Sequence, residues 1–209
     1  VACAMAVLAG AMSTLPIWEL SQISERAKEL PFEWASRLKY WPRNAITFLL
    51  PYANGDVSDH TFSGEGLFWE DYGYVGFLTA VFAVVGIVRG HRSVHVRFFL
   101  AAGLLAYVLV LGPATPFYGL AFHWFPGMNR FRFPTRFLVV VEFSICLLAG
   151  LGLSGVLAYL EERWKATRAA SVVGYVGGAI VAITAGDLIY HQMRQNAIVD
   201  AYSWLEPPE

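Results

Sequence analysis

Residues 126–136 read PGMNRFRFPTR, which places Arg130, Arg132 and Arg136 within seven residues and with no acid among them. A guanidinium is planar, permanently charged and able to hold two oxygens at once, which suits it to phosphate. The stretch runs directly into apolar sequence at 137–160. Cations interleaved with aromatic rings at the start of a hydrophobic segment make a collar that can hold an anionic headgroup, such as a lipid phosphate. Pro134 stops any helix before Thr135, so a helix starting there would add the partial positive charge of its N-terminus. The same arginines can instead cap the segment or pair with acids of another loop, and the sequence leaves both readings open.

Glu142 lies six residues beyond Arg136, about 9 Å deeper at ~1.5 Å per helical residue. An acid inside an apolar segment is costly and calls for a partner. Arg132 or Arg130, on the approach to the segment, is the expected one, as a structural pair, unless the carboxyl is protonated or catalytic. Elsewhere the chemistry is thin. Asp56, Asp59 and His60 follow an Asn54-Gly55 turn, where carboxylates are ordinarily solvated turn residues rather than metal ligands. His91 and His95 stand four apart in a short arginine-rich stretch and are not read as a metal pair. Walker A, GxSxG, HExxH and CxxC patterns are absent from the sequence, so no catalytic residue or metal is assigned and any cofactor stays unknown.

The elements that must position these groups follow from composition. Of 209 residues, 56% are hydrophobic and 15% charged, with mean hydropathy +0.49; soluble domains carry roughly 25% charged residues. A net charge of −1 says nothing about a nucleic-acid partner, and no basic tail suggests one, so none is expected. Cys3 and Cys146 lie in apolar runs and read as small hydrophobes. Five apolar segments, 1–17, 74–88, 98–112, 137–160 and 172–190, predict an all-α polytopic transmembrane bundle. A crossing helix needs about 20 residues, so the second and third require their flanks, or form a re-entrant pair.

Charge sets the orientation. The 89–97 connection holds Arg89, Arg92 and Arg97, and the 161–171 connection holds Arg163, Lys165 and Arg168, whereas 18–72 carries nine acids against five bases. By the positive-inside rule the two short basic loops are cytoplasmic, leaving 18–72, 113–136 and 191–209 outside. Pro42 and Pro51 bracket RNAITFLL, read as a short amphipathic helix lying on the outer membrane surface. Stripes of small residues (Gly174, Gly178, Ala182, Gly186; Ala2, Ala6, Gly10; Gly150, Ser154) predict close helix packing.

The chain starts at Val1 inside an apolar run and ends on WLEPPE, which reads as part of a longer polytopic protein. Its segments LPIWELSQISERAKELPFEWAS, WPRNAITFLLPYANGD and YGYVGFLTAVFAVVGIVR, followed by LGPATPFYGLAFHWFPGMNRFRFPTRFLVVVEFSICLLAGLGL, resemble in order the YfhO-like family of bacterial polytopic membrane proteins. The family's PGFN-FR-P-RF stretch is matched by Pro126, Gly127, Asn129, Phe131, Arg132, Pro134, Arg136 and Phe137, with Met128 in place of the aromatic. The resemblance implies a GT-C-type, glycosyltransferase-like architecture in the bacterial cytoplasmic membrane. It implies transfer of a sugar from a polyprenyl-phosphate donor to a cell-envelope glycan on the outer face, with the catalytic acid upstream of this chain. Arg130, Arg132 and Arg136 would then hold the donor or leaving-group phosphate, and Glu33, Trp34 and Asp56 would border the acceptor groove. The competing readings are a non-enzymatic lipid or glycan transporter and an envelope-assembly scaffold.

Overall fold

The computed structural model describes residues 2–23, 30–57, 59–64, 68–130, 132–164 and 169–195, and the side chains of all of these except 2–9, 13, 21, 130, 169–170 and 194–195. Every regular element among the described residues is helical. In chain order the α-helices are α1 (Ala2–Ile23), α2 (Phe32–Ala35), α3 (Phe68–Asp71), α4 (Phe77–Gly90), α5 (Val94–Val110), α6 (Pro116–Trp124), α7 (Leu138–Trp164) and α8 (Ala169–Gln195). Short 3-10 turns at Pro42–Phe48, Gly112–Ala114, Met128–Arg130 and Pro134–Phe137 join them. Each of these except Met128–Arg130 has proline at its start, where the missing N–H costs nothing.

Among the described residues two stretches are long and apolar enough to cross a membrane: Pro134–Trp164, with mean hydropathy 2.2, and Ser171–Met193, with 1.8. The helices α4 and α5 are apolar but run only 14 and 17 residues. The outward faces are largely apolar: Val84 and Val88 on α4, Leu104 and Leu105 on α5, Val139 and Phe143 on α7 and Val181 and Ile183 on α8 are all exposed. A water-soluble monomer rarely shows contiguous apolar surface on this scale. Two polar residues within these helices bond to their own backbone, Ser144 donating to the Val140 carbonyl at 2.7 Å and Thr184 to the Ile180 carbonyl at 2.9 Å.

The interior is built where small residues let backbones meet. At the α4–α7 crossing a Cβ added to Gly86 would run into the Leu148 carbonyl, and one added to Gly152 into the Phe82 carbonyl. Ala83, Val96, Leu148 and Ala149 close round this crossing as one buried cluster. The stripes expected from the sequence do not make these contacts. Nothing lies within 4 Å of a Cβ added at Gly10, Gly150, Gly174, Gly178 or Gly186. The helix α8 is lightly packed, touching α7 through Gly177 against Leu157, so its remaining glycines face outward; Ala2 and Ala6 lie outside the described side chains.

Helix direction follows from the same contacts. Gly86 meets Leu148 and Gly152, and Arg89 stacks on Tyr159 at 5.1 Å, so α4 runs parallel to α7. Gly103 on α5 meets Ser144, and Gly112 meets Pro134, so α5 runs back. One end of the bundle therefore holds Gly112, Pro134 and the first turn of α4. The C-terminal part of α8 is fastened there too. Asp187 accepts a 2.6 Å hydrogen bond from the Tyr74 hydroxyl and a 3.4 Å one from the Phe77 N–H at the start of α4, and sits 3.4 Å from His191 Nε2.

Candidate functional site

At the end of the bundle where α7 begins, residues 30–36 and 129–136 are stitched together by backbone. The Leu30 N–H donates to the Asn129 carbonyl at 3.1 Å and the Phe133 N–H to the Ala35 carbonyl at 3.1 Å. Behind this seam Ala35, Tyr118, Phe122 and Met128 form a buried cluster. The seam fixes Phe133 at φ +64, a conformation bulky residues rarely adopt. Its consequence is the setting of Arg132. The guanidinium lies 3.8 Å from the Trp34 ring and 4.5 Å from the Phe133 ring. Stacked cations of this kind gain roughly 0.5–2 kcal/mol from the ring faces while their N–H edges stay available to an anion. The Arg132 Nε is buried with no hydrogen-bond partner, and no carboxylate pairs with Arg132 among the described residues.

Arg136 is exposed and stands 3.9 Å from Glu70 Oε1, whose other oxygen accepts from the Thr135 hydroxyl at 3.5 Å. Both arginines line one groove of about 410 Å³, completed by Phe125, Met128, Phe137, Val139 and Val140. Two cations therefore stand over a hydrocarbon wall that continues onto the exposed face of α7. Such a groove suits an anionic amphiphile, headgroup on the guanidinium edges and chain along the valines.

No protein-family model, curated protein or solved structure matches this chain.

Next to Glu70, which faces Arg136, lies a buried polar network that the sequence does not announce. Asn44 Nδ2 donates to Asp71 Oδ2 at 3.2 Å, and Asn54 Nδ2 donates to Asn44 Oδ1 at 3.0 Å. Burial first, and then the neighbouring Glu70, push the Asp71 carboxyl up to about 7 against the pull of the Asn44 hydrogen bond. Tyr40 is fully buried, and its hydroxyl has no partner among the described residues. Burial pushes the Tyr40 phenol well above its ordinary value, with Tyr107, Asp71 and Glu142 adding to the effect. The signal available in the sequence was the adjacent pair Glu70-Asp71 in an aromatic stretch and an asparagine at the first turn after Pro42.

The expected site residues are only partly assembled. Arg132 and Arg136 come together in the groove, while the Arg130 side chain lies outside the described residues. Glu142 is half-buried on α7 and forms no ion pair with Arg132 among the described residues, while the Arg130 alternative lies outside the described side chains. The arginine is held by the Trp34 ring of α2 and the adjacent Phe133 ring. Trp34 acts at the site through Arg132, and Glu33 is exposed beside it on α2. Asp56 does not reach the groove. It is buried in its own turn, where its backbone carbonyl accepts from Thr61 and Phe62, and its N–H donates to the Thr61 hydroxyl. Asp59 likewise accepts from the Thr61 N–H at 3.1 Å, and no group of described residues has the make-up of a metal site.

Proposed function

We propose that this chain is the lipid-donor-binding part of an integral membrane, glycosyltransferase-like protein. In this reading the whole protein moves a sugar from a polyprenyl-phosphate donor to a cell-envelope glycan, on the outer face of the bacterial cytoplasmic membrane. The observation that carries it is the groove in which Arg132 and Arg136 stand over Val139 and Val140. A polyprenyl phosphate has the same division, a charged head on a long hydrocarbon. As the glycosidic bond breaks, negative charge grows on the leaving phosphate, and preorganised guanidinium groups favour that charge. Trp34 and Phe133 supply the preorganisation by fixing the plane of Arg132.

The reading takes α1, α4, α5, α7 and α8 as five spans, with the groove outside. Support comes from the helix directions: Arg89 meets Tyr159 near the cytoplasmic end of α7, whereas Gly112 meets Pro134 at the end bearing the groove. The 3-10 turn Pro42–Phe48 supports placement of loop 18–72 at the membrane surface. Its polar Asn44 and Thr47 are buried, while Ile46, Leu49 and Leu50 around it are exposed.

A non-enzymatic transporter or assembly scaffold would use the same groove only to hold lipid. A sugar-transfer assay on the full-length protein with a polyprenyl-phosphate donor separates them. Transfer that falls at least tenfold in an Arg132→Ala variant supports the enzyme. Lipid binding without transfer by the wild type makes the protein a carrier or scaffold.

A further inference from the structure

The segment 113–129, between α5 and the groove, contains no Asp, Glu, Lys or Arg. An extramembranous connection is ordinarily polar, since water must solvate it. This one folds into α6, whose inner face is spent on the groove's foundations: Tyr118 and Phe122 are buried against Phe32 and Ala35. Apart from His123, whose ring bonds to the Gly119 carbonyl at 2.7 Å, its outer face is apolar as well. Phe117, Leu120 and Trp124, spaced for one helical stripe, are 56%, 57% and 83% exposed, and Phe125 adds another exposed ring at 68%.

Two geometric facts decide what covers that stripe. The excursion begins and ends at one place, because a Cβ on Gly112 would lie 2.9 Å from the Pro134 ring. At nine residues, α6 is about 14 Å long and cannot cross a bilayer. Its stripe is also continuous with surface already facing hydrocarbon in the five-span reading, since Phe125 shares the groove with Val139 and Val140 of α7. We infer that α6 is an interfacial helix, its Phe117–Leu120–Trp124 stripe sunk in the outer leaflet. Trp124 and Phe125 then stand at the lip of the arginine groove, so that lipid reaches the groove sideways from the bilayer. The partner is the bilayer itself, at the boundary between headgroups and acyl chains, where tryptophan and phenylalanine partition well. The inference rests on the membrane reading of α7 but not on the identity of the lipid held in the groove.

The test is a depth measurement on the full chain in nanodiscs of phosphatidylcholine, with no polyprenyl phosphate present. In a Cys3→Ser, Cys146→Ser background, nitroxides at Leu120→Cys and Trp124→Cys are compared with labels at Phe143→Cys and Arg37→Cys. Phe143 is an exposed position on α7 and Arg37 an exposed position in the outer loop. Collision with oxygen favoured over a water-soluble nickel chelate, at a depth of about 5–10 Å below the phosphates, is the expected result. Chelate access equal to that at Arg37 overturns the inference. Shielding from both reagents also overturns it, because a protein partner or second copy would then cover the stripe. Failure of the sugar-transfer reading leaves this readout unchanged, so the two proposals fail separately.

Discussion

At the scale of single residues two ionisable groups, Arg132 and Asp71, are held in opposite ways. Arg132 is held by ring faces, with no counter-ion among the described residues. Asp71 is buried, and its carboxyl titrates near 7 instead of the ordinary 3.8. The sign of its effect on stability follows. The folded chain keeps the Asp71 proton up to about pH 7, whereas the unfolded chain releases it near 3.8. The folded state therefore binds more protons across that interval, and stability declines as pH rises through it. Asp71→Asn preserves an oxygen acceptor for Asn44 and removes the ionisation. The variant should melt above the wild type at pH 8 and alongside it at pH 4, measured as melting temperature in nanodiscs. Parallel curves for the two proteins would contradict the assignment. Neither the buried Asn44–Asp71 bond nor the Trp34–Arg132 stack was legible in the sequence, because each joins residues far apart along the chain. The arginines were legible because three cations without an acid at the edge of an apolar segment stand out locally.

At the scale of elements, close approach is confined to a few glycines. Gly86 and Gly152 carry the α4–α7 crossing, and a side chain at either meets backbone that cannot move aside without parting the helices. Gly152→Val and Gly86→Val should each lower stability by roughly 1–3 kcal/mol or more, the range for overpacking a tight interior. Gly150→Val is the matched control, two residues away on the same helix with open space around it. Equal melting temperatures for the Gly150 and Gly152 variants would refute this account of the crossing. Sequence periodicity had pointed to Gly150 rather than Gly152, and to the regular stripe on α8. A repeat of small residues marks faces that permit close packing, but which face is used depends on the neighbour. On α7 the neighbour is α4 at Gly152, and on α8 most of the stripe meets nothing among the described residues. The helix α6 escaped sequence reading for a related reason. Nine residues opened by a proline carry too little periodic signal to separate a helix from an apolar loop.

At the scale of the whole molecule, the apolar outward faces, the glycine-built interior and the groove at one end form a single arrangement. Helical content and the apolar segments were legible because hydrocarbon solvent imposes long uninterrupted runs. The relation between loops was not, since it depends on which segments fold back together. The seam joining residues 30–35 to 129–133 is what converts a run of arginines into a groove with a fixed guanidinium. The central proposal is that this groove holds a lipid-linked phosphate. It is tested most directly by polyprenyl-phosphate binding to the full-length protein in nanodiscs, comparing wild type with Arg132→Ala, Arg132→Lys and the Arg130/Arg132/Arg136 triple alanine variant. Charge-assisted hydrogen bonds contribute about 1.5–3 kcal/mol each. The account therefore predicts at least a tenfold loss for Arg132→Ala, partial retention for Arg132→Lys and near-abolition for the triple variant, each still folded by melting temperature. Affinity unchanged in a folded triple variant would contradict it and leave the arginines as structural residues.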